Sequence, residues 1–161
     1  MAPTIQTTSV LTPEALREHW QGHRRLTRRV IEAFPEQELF NYSIGGMRPF
    51  AKLVVEFLSM AEPIVRGVAT GQWDAWKELE PPTSKAALLR LWDEATAALD
   101  QVWPTIPPHR FAEVDKAFGQ WEGTGIGTIL YAIDNEIHHR GQGYVYLRSL
   151  GIEPPPFWDK A

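Results

Sequence analysis

Hydrophobic residues recur every three or four positions in four separate stretches of the chain, which is the spacing of one face of an α-helix. The clearest stretch carries Phe50, Leu53, Val54, Phe57, Met60, Ala61, Ile64, Val65 and Val68. No stretch alternates apolar and polar residues for long enough to predict a β-strand. The expected fold is an all-α, four-helix bundle forming a single domain over residues 1–161. Its helices are predicted near residues 13–34, 47–70, 83–103 and 125–150.

Prolines and capping residues mark where these helices begin and end. Thr12 followed by Pro13 is a typical start, because a hydroxyl caps the first turn and proline suits the first helical position. Pro63 lies inside the second predicted helix and predicts a kink or local break there. The segment between the third and fourth helices is rich in proline and glycine and is expected to hold at most a short helix around 111–117.

The fourth predicted helix is unusually polar, in the stretch AIDNEIHHRGQGYVYLRSLG from Ala132 to Gly151. Glu136 and Arg140 fall within its apolar face, four residues apart. If they are buried we expect them to pair, because a lone charge in a core is very costly.

A second polar stripe runs beside that apolar face. Asn135, His139 and Gln142 share it at three- and four-residue spacing, whereas His138 points away from the apolar centre.

The composition excludes several classes of protein. The chain has 161 residues, of which 43% are hydrophobic and 22% charged, as in a globular domain. It has no cysteine, which excludes a disulfide framework, a thiolate metal site and a cysteine nucleophile. No signal-peptide pattern and no run of membrane-spanning length occurs, so we expect a cytoplasmic protein without a membrane partner. Seven tryptophans is a high count, and several are expected at pocket rims or subunit contacts.

The net charge of −4 gives no general attraction to nucleic acids. One local exception lies on the first predicted helix, which carries Arg24, Arg25, Arg28 and Arg29. A nucleic-acid patch is one interpretation. The favoured interpretation is a solvated helix face whose arginines pair with Glu14, Glu18 and Glu32.

Two sets of histidines invite a chemical interpretation. His19 and His23 are four residues apart, a spacing that can hold a metal ion, but a third ligand is needed and a packed pair is the favoured interpretation. The other set offers groups for metal-free acid–base chemistry: Asp134, Glu136, His138 and His139. No serine or cysteine nucleophile is placed to complete a triad, and no phosphate-binding loop is present. The sequence does not identify a catalytic residue.

The segment NEIHHRGQ, followed by LRSLGIEPPP, resembles the C-terminal signature of the DinB/YfiT-like superfamily, in which the last helix carries His-x-x-x-His and then Arg-Gly-Gln. GGMRPFAKLVVEFLSMAEPIVRG resembles the matching region of its second helix. The resemblance implies a four-helix bundle, commonly a homodimer, with three histidines that hold zinc, nickel or a similar ion in many members. Characterised branches include thiol S-transferases and a thiol-dependent isomerase, and the family takes its name from a damage-inducible gene.

The chain departs from this pattern at the positions of the metal ligands. His139 matches the second histidine of the pair, the first falls on Asn135, and the position on the second helix falls on Leu58. We expect His139 to face a cavity between the second and fourth helices with Leu58 opposite, and His138 to point outward. Glu56 lies about 200° from Leu58 on a helix, so we do not expect it to substitute as a ligand.

The resemblance therefore implies a DinB-like protein of the stress- or damage-response type with a degenerate metal site and no resident cofactor. It would bind a small molecule between helices or act as a non-catalytic bundle. The alternative is a zinc- or nickel-dependent enzyme, such as a thiol S-transferase or another small-molecule transferase or hydrolase. The residues expected to line a pocket or hold the bundle are Glu56, Asn135, Glu136, His138, Arg140 and Gln142.

A homodimer is the expected assembly. Gly141 and Gly143 cost helix stability unless another backbone or side chain approaches closely. With Tyr144 and Tyr146 beside them and the family habit of dimerisation, a close helix contact or a two-fold seam is the predicted cause.

Overall fold

The computed structural model describes residues 10–161, and this part of the chain is mostly helical. In chain order its elements are α1 (Pro13–Ala33), α2 (Glu36–Asn41), α3 (Phe50–Thr70), α4 (Lys85–Val102), β1 (Val114–Ala117), β2 (Trp121–Thr124) and α5 (Gly125–Ser149). The four long helices pack on one another, α1 and α3 each against both α4 and α5. No helix in this part of the chain is long and apolar enough to cross a membrane.

The helix ends follow the local chemistry of the sequence. The side chain of Thr12 caps α1 by accepting a hydrogen bond from the backbone N–H of Ala15 at 3.1 Å. Gly71 ends α3 in the left-handed conformation, with φ of 73°, which costs glycine little. Pro63 does not break α3, which continues through it to Thr70, so the predicted break is absent.

Two elements were not predicted. The short α2 follows Pro35, and an antiparallel hairpin of β1 and β2 replaces the helix expected around 111–117. Each strand has only four residues, which is too short for an alternating pattern to stand out. In the turn, Gln120 donates its backbone N–H to the carbonyl of Ala117 at 3.0 Å.

The core consists of two clusters of buried side chains. One joins α1, α3 and α5 with the hairpin around Trp20, Ile64 and Ile133. The other joins α1, α3, α4 and α5 and includes Phe34, Phe50, Leu53, Leu58, Trp92 and Tyr146. Burial of these apolar surfaces, at roughly 25 cal/mol per Å², is the main force that holds the helices together.

The two glycines of α5 have different surroundings. A Cβ added to Gly143 would lie 2.5 Å from the ring of Phe50, so α3 begins against this glycine. Gly141 is exposed and a Cβ there would meet nothing within 4 Å. The close helix contact predicted for this pair is therefore within the chain at Gly143, and of the two glycines only Gly141 is left for a seam between two copies.

Candidate functional site

A cleft of about 530 Å³ opens between α3, the segment that connects α3 to α4, the hairpin and the first turns of α5. The helix α3 contributes Glu56, Met60 and Ile64, which share one face at four-residue spacing. The remaining lining residues are Trp76, Glu78, Ala117, Phe118, Trp121, Glu122, Gly123, Gly127, Thr128 and Tyr131. Its size and largely apolar wall are those of a small-molecule pocket.

Aromatic rings form the outer wall of the cleft. The ring of Phe118 lies 5.3 Å from Trp76 and 6.0 Å from Trp121, both edge to face at 82°. The positive φ of Phe118, 53°, is unfavourable for a bulky side chain. Burial of its ring, which is only 8% exposed, offsets that cost and fixes the hairpin to the helices.

A connected group of polar side chains joins α3 to α5 at the inner end of this wall. Asn135 donates its amide N–H to Glu56 Oε1 at 3.0 Å, and His139 Nε2 lies 3.4 Å from the same oxygen. Arg48 contacts the other oxygen of Glu56 at 2.5 Å. His139 Nδ1 lies 2.8 Å from Gln142 Oε1. Glu56 is therefore the residue of α3 that meets the polar stripe of α5.

The surroundings of Glu56 stabilise its ionised form. Partial burial raises its pKa, but the hydrogen bonds from Asn135 and Arg48, with the charges of Arg48 and His139, outweigh burial and hold its pKa below the ordinary value. Both ring nitrogens of His139 face an oxygen that accepts, Glu56 Oε1 at Nε2 and Gln142 Oε1 at Nδ1, so a hydrogen on either nitrogen has an acceptor beside it.

The residue of α3 that lies against His139 Nε2 is Glu56, two positions before Leu58. Leu58 is buried in the cluster that also contains Trp92, and the ring of Phe57 stacks on His139 with centroids 5.9 Å apart. Residues two positions apart on a helix differ by about 200°, so Glu56 and Leu58 lie on either side of Phe57, and the placement of Leu58 opposite His139 stays a prediction. His138 is exposed on the outer side of α5.

Glu136 and Arg140 lie apart from the cleft, in a buried polar network between α1, α4 and α5. Glu136 is 1% exposed and accepts hydrogen bonds from Thr27 Oγ1 at 2.6 Å and Trp20 Nε1 at 3.1 Å. Arg140 Nη1 lies 3.9 Å from its carboxylate, as does Arg24 Nη1. The expected pairing is present, and a second arginine shares the same acid.

Arg24 does not belong to a solvated face. Its guanidinium is buried, stacks on the ring of Trp92 at 4.0 Å and donates to Thr96 at 2.8 Å. A buried arginine is tolerated because Glu136 supplies the opposite charge. The other three arginines of that patch do form surface ion pairs, with partners Glu18, Glu32, Asp93 and Asp159.

His19 and His23 form a packed pair with ring centroids 4.6 Å apart. Arg140 donates to His23 Nδ1 at 2.9 Å. Burial, together with the nearby charges of Arg140 and Lys160, lowers the pKa of His23 to about 3. His23 is thus a neutral acceptor inside the buried network.

The polar group around Glu56, the one of its members that lines the cleft, does not fit a divalent metal ion. The oxygens of Glu56 and the ring nitrogens of His139 already engage neighbours, which leaves only the amide oxygen of Asn135 without a partner. A guanidinium on the same carboxylate also repels a dication. Within residues 10–161, no three His, Cys, Asp or Glu side chains are grouped so that they would hold a metal ion.

Comparison with known proteins places the fold. The profile of the DinB family matches residues 6–159, nearly the whole chain. The chain belongs to the DinB family. It is 25% identical to YjoA of Bacillus subtilis over 147 residues, which cover 88% of this chain and 93% of that protein.

Solved structures of DinB-like proteins superimpose well on this chain. A DinB-like protein from Bacillus cereus ATCC 10987 gives a TM-score of 0.70 at 16% identity, over 89% of this chain and 95% of that one. The YjoA structure from Bacillus subtilis gives a TM-score of 0.70 at 19% identity, over 89% of this chain and 96% of that one. A histidine-to-alanine mutant of a mycothiol-dependent maleylpyruvate isomerase gives a TM-score of 0.65 at 16% identity, over 87% of this chain and 68% of that one. At these identities the likeness shows the fold alone.

Several cleft residues were missed by the sequence analysis. Phe118 and Trp121 lie in the unpredicted hairpin, and Trp76 lies in an irregular connection, so no periodic pattern marked them. The one available signal was the high tryptophan count, which predicted pocket rims without saying which residues form them.

Proposed function

We propose that this DinB-family protein is a four-helix bundle that binds a small organic molecule in the cleft between α3, α5 and the hairpin, without a resident divalent metal. The observation that carries the proposal is the cleft itself, with a volume of about 530 Å³ and a wall of aromatic and aliphatic side chains. Pockets of this size and lining bury most of the surface of a small ligand.

The polar group at the inner end supports binding rather than metal chemistry. Glu56 is fixed by Asn135 and Arg48, and His139 is held between Phe57 and Gln142. Apart from the amide oxygen of Asn135, these polar groups already engage one another, and such a preformed arrangement lowers the entropy cost of ordering a site around a ligand.

The alternative is a metal-dependent, thiol-using enzyme, to which the likeness to the mycothiol-dependent isomerase would point. That likeness concerns the fold, and the donor set of Glu56, Asn135 and His139 speaks against such a reaction in this chain. Cytoplasmic location and a role in stress response stay predictions from the sequence.

The test uses the tryptophans as reporters. The seven indole N–H groups give seven signals in a proton–nitrogen correlation spectrum, which single Trp→Phe variants assign. We expect members of a set of aromatic fragments to shift the signals of Trp76 and Trp121, which line the cleft. The signals of Trp20 and Trp92, each 1% exposed in the helical core, should stay unchanged.

A matched pair of variants gives the control. Trp121→Ala removes a wall of the cleft at a residue that is 54% exposed, and Trp158→Ala removes an exposed tryptophan of the C-terminal segment. Fragment binding should weaken in the first variant and persist in the second. If both variants bind the fragments as the parent does, or if no fragment shifts Trp76 or Trp121, the proposal is wrong.

A further inference from the structure

We infer that the ligand of the cleft is a small organic cation, such as an amine or a quaternary ammonium compound. This inference rests on the proposed function, because it names the chemical class that the same cleft would take. It is carried by the charges and the aromatic rings that line the cleft, each of which favours a positive ligand for a different physical reason.

All the ionisable side chains that line the cleft, apart from the phenol of Tyr131, are carboxylic acids: Glu56, Glu78 and Glu122. No lysine, arginine or histidine lines it. Arg48 lies outside the lining, and its guanidinium, 2.5 Å from a carboxylate oxygen of Glu56, compensates the charge of that acid. Glu78 and Glu122 have no ion pair with any residue of the described chain from 10 to 161. Lys116 lies opposite Glu122 in the hairpin register but neither lines the cleft nor forms an ion pair with it, so two acids without an ion pair face the ligand space.

One feature of the cleft opposes this charge. The first turn of α5 contributes Gly127 and Thr128 to the lining, and the start of a helix carries roughly half a positive charge. Thr124 already caps it by accepting from the N–H of Gly127 at 3.1 Å. Two carboxylates outweigh about half a charge, so the field in the cleft is negative.

The aromatic residues provide the second argument. Trp76, Trp121 and Tyr131 line the cleft, and Trp121 and Tyr131 are 54% and 61% exposed. Aromatic faces are negative and attract cations, tryptophan most strongly. Exposed rings next to unpaired carboxylates are the combination by which proteins recognise ammonium groups. A neutral ligand would gain only contact with the rings, and an anion would be repelled by the acids.

The experiment compares three probes of similar size: benzyltrimethylammonium, benzyl alcohol and phenylacetate. Binding to the full chain is measured by calorimetry and by the indole signals at low and high salt. We expect the cation to bind about tenfold more tightly than the alcohol at low salt, and phenylacetate to bind most weakly. The preference should shrink at high salt, because Glu78 and Glu122 are exposed and their charges are screened.

A double variant isolates the role of the acids. Glu78→Gln with Glu122→Gln should reduce the preference for the cation at least about threefold and leave binding of benzyl alcohol unchanged. The matched control is Glu94→Gln with Glu153→Gln, which changes the net charge equally at exposed residues outside the cleft and should keep the preference.

The outcomes separate the two proposals. If the alcohol or phenylacetate binds at the cleft as tightly as the cation, or if both double variants lose the preference equally, the inference about the cation is wrong and the binding function stands. If none of the three probes shifts the signals of Trp76 and Trp121, both are wrong.

Discussion

Replacement of Glu136 by glutamine should destabilise the protein strongly, although it changes only one oxygen to an amide. Glu136 is the acid of the buried network and has two guanidinium groups, those of Arg24 and Arg140, 3.9 Å from its oxygens. In Glu136→Gln the two buried cations lose their counter-charge. The hydrogen bonds themselves can be kept, because the amide oxygen can face Trp20 while the amide nitrogen donates to the hydroxyl of Thr27, whose own hydrogen can go to the carbonyl of His23.

The size of the effect follows from the loss of the counter-charge. Removal of one partner of a buried charge pair costs about 3–5 kcal/mol. A domain of this kind has roughly 5–15 kcal/mol of stability. We therefore expect Glu136→Gln to fold but to unfold at a clearly lower urea concentration, with a loss of about 3–5 kcal/mol.

Urea denaturation followed by circular dichroism measures the loss, provided that the slope of the transition stays that of the parent. Asp134→Asn is the matched control, because it makes the same chemical change at an exposed position of α5. It should alter the free energy of unfolding by less than about 0.5 kcal/mol. A loss below about 1 kcal/mol in Glu136→Gln would refute the reasoning, since it would mean that the two arginines do not depend on this carboxylate.

Three further predictions concern pH, metal binding and assembly. Burial lowers the pKa of His23 from 6.5 to about 3, so at pH values between these two the unfolded state binds more protons than the folded state. Stability should therefore fall as the pH decreases below 6.5, by about 2 kcal/mol at pH 5. Urea midpoints across pH measure this, and a His23→Gln variant should show a flatter profile. Glu56→His with Asn135→His should bind zinc in calorimetry, since both face His139, whereas Leu58→His with Asn135→His should not; equal affinity would contradict the geometry. Light scattering should give a dimer, and an 18.3 kDa monomer at high concentration would count against it.

The helical part of the fold was predictable because its signals are local. Thr12, Ser84 and Gly71 mark helix ends by side-chain or backbone chemistry that depends on a few neighbours. The pairing of Glu136 with Arg140 was predictable for the same reason, since four residues on one helix bring two side chains together.

The cleft was not predictable because its contacts depend on how helices are rotated against each other. The alignment chose Leu58 as the position facing His139, whereas Glu56, two residues earlier, contacts it. Nothing within the α3 sequence says which of these two positions meets the polar stripe of α5. Arg24 lies among arginines that form surface ion pairs, and Glu136 on another helix makes its burial tolerable. The hairpin lacked a signal because its four-residue strands are stabilised by the ring of Phe118 in the helical core rather than by their own pattern.

The charge of Glu56 affects both the fit of the site to a metal ion and the kind of ligand that the cleft would bind. In a site with three neutral imidazoles, the positive charge comes from the ion, and a ligand that meets it is anionic or electron-rich. Here a carboxylate takes the place that faces the last helix, and the cation in contact with it is Arg48, which lies outside the cleft lining. The charged side chains of the lining are therefore all acidic: Glu56, Glu78 and Glu122. A carboxylate at this place of α3 both disfavours the three-imidazole site and adds to the negative charge that a ligand meets, which is why we connect the donor set with a cationic ligand.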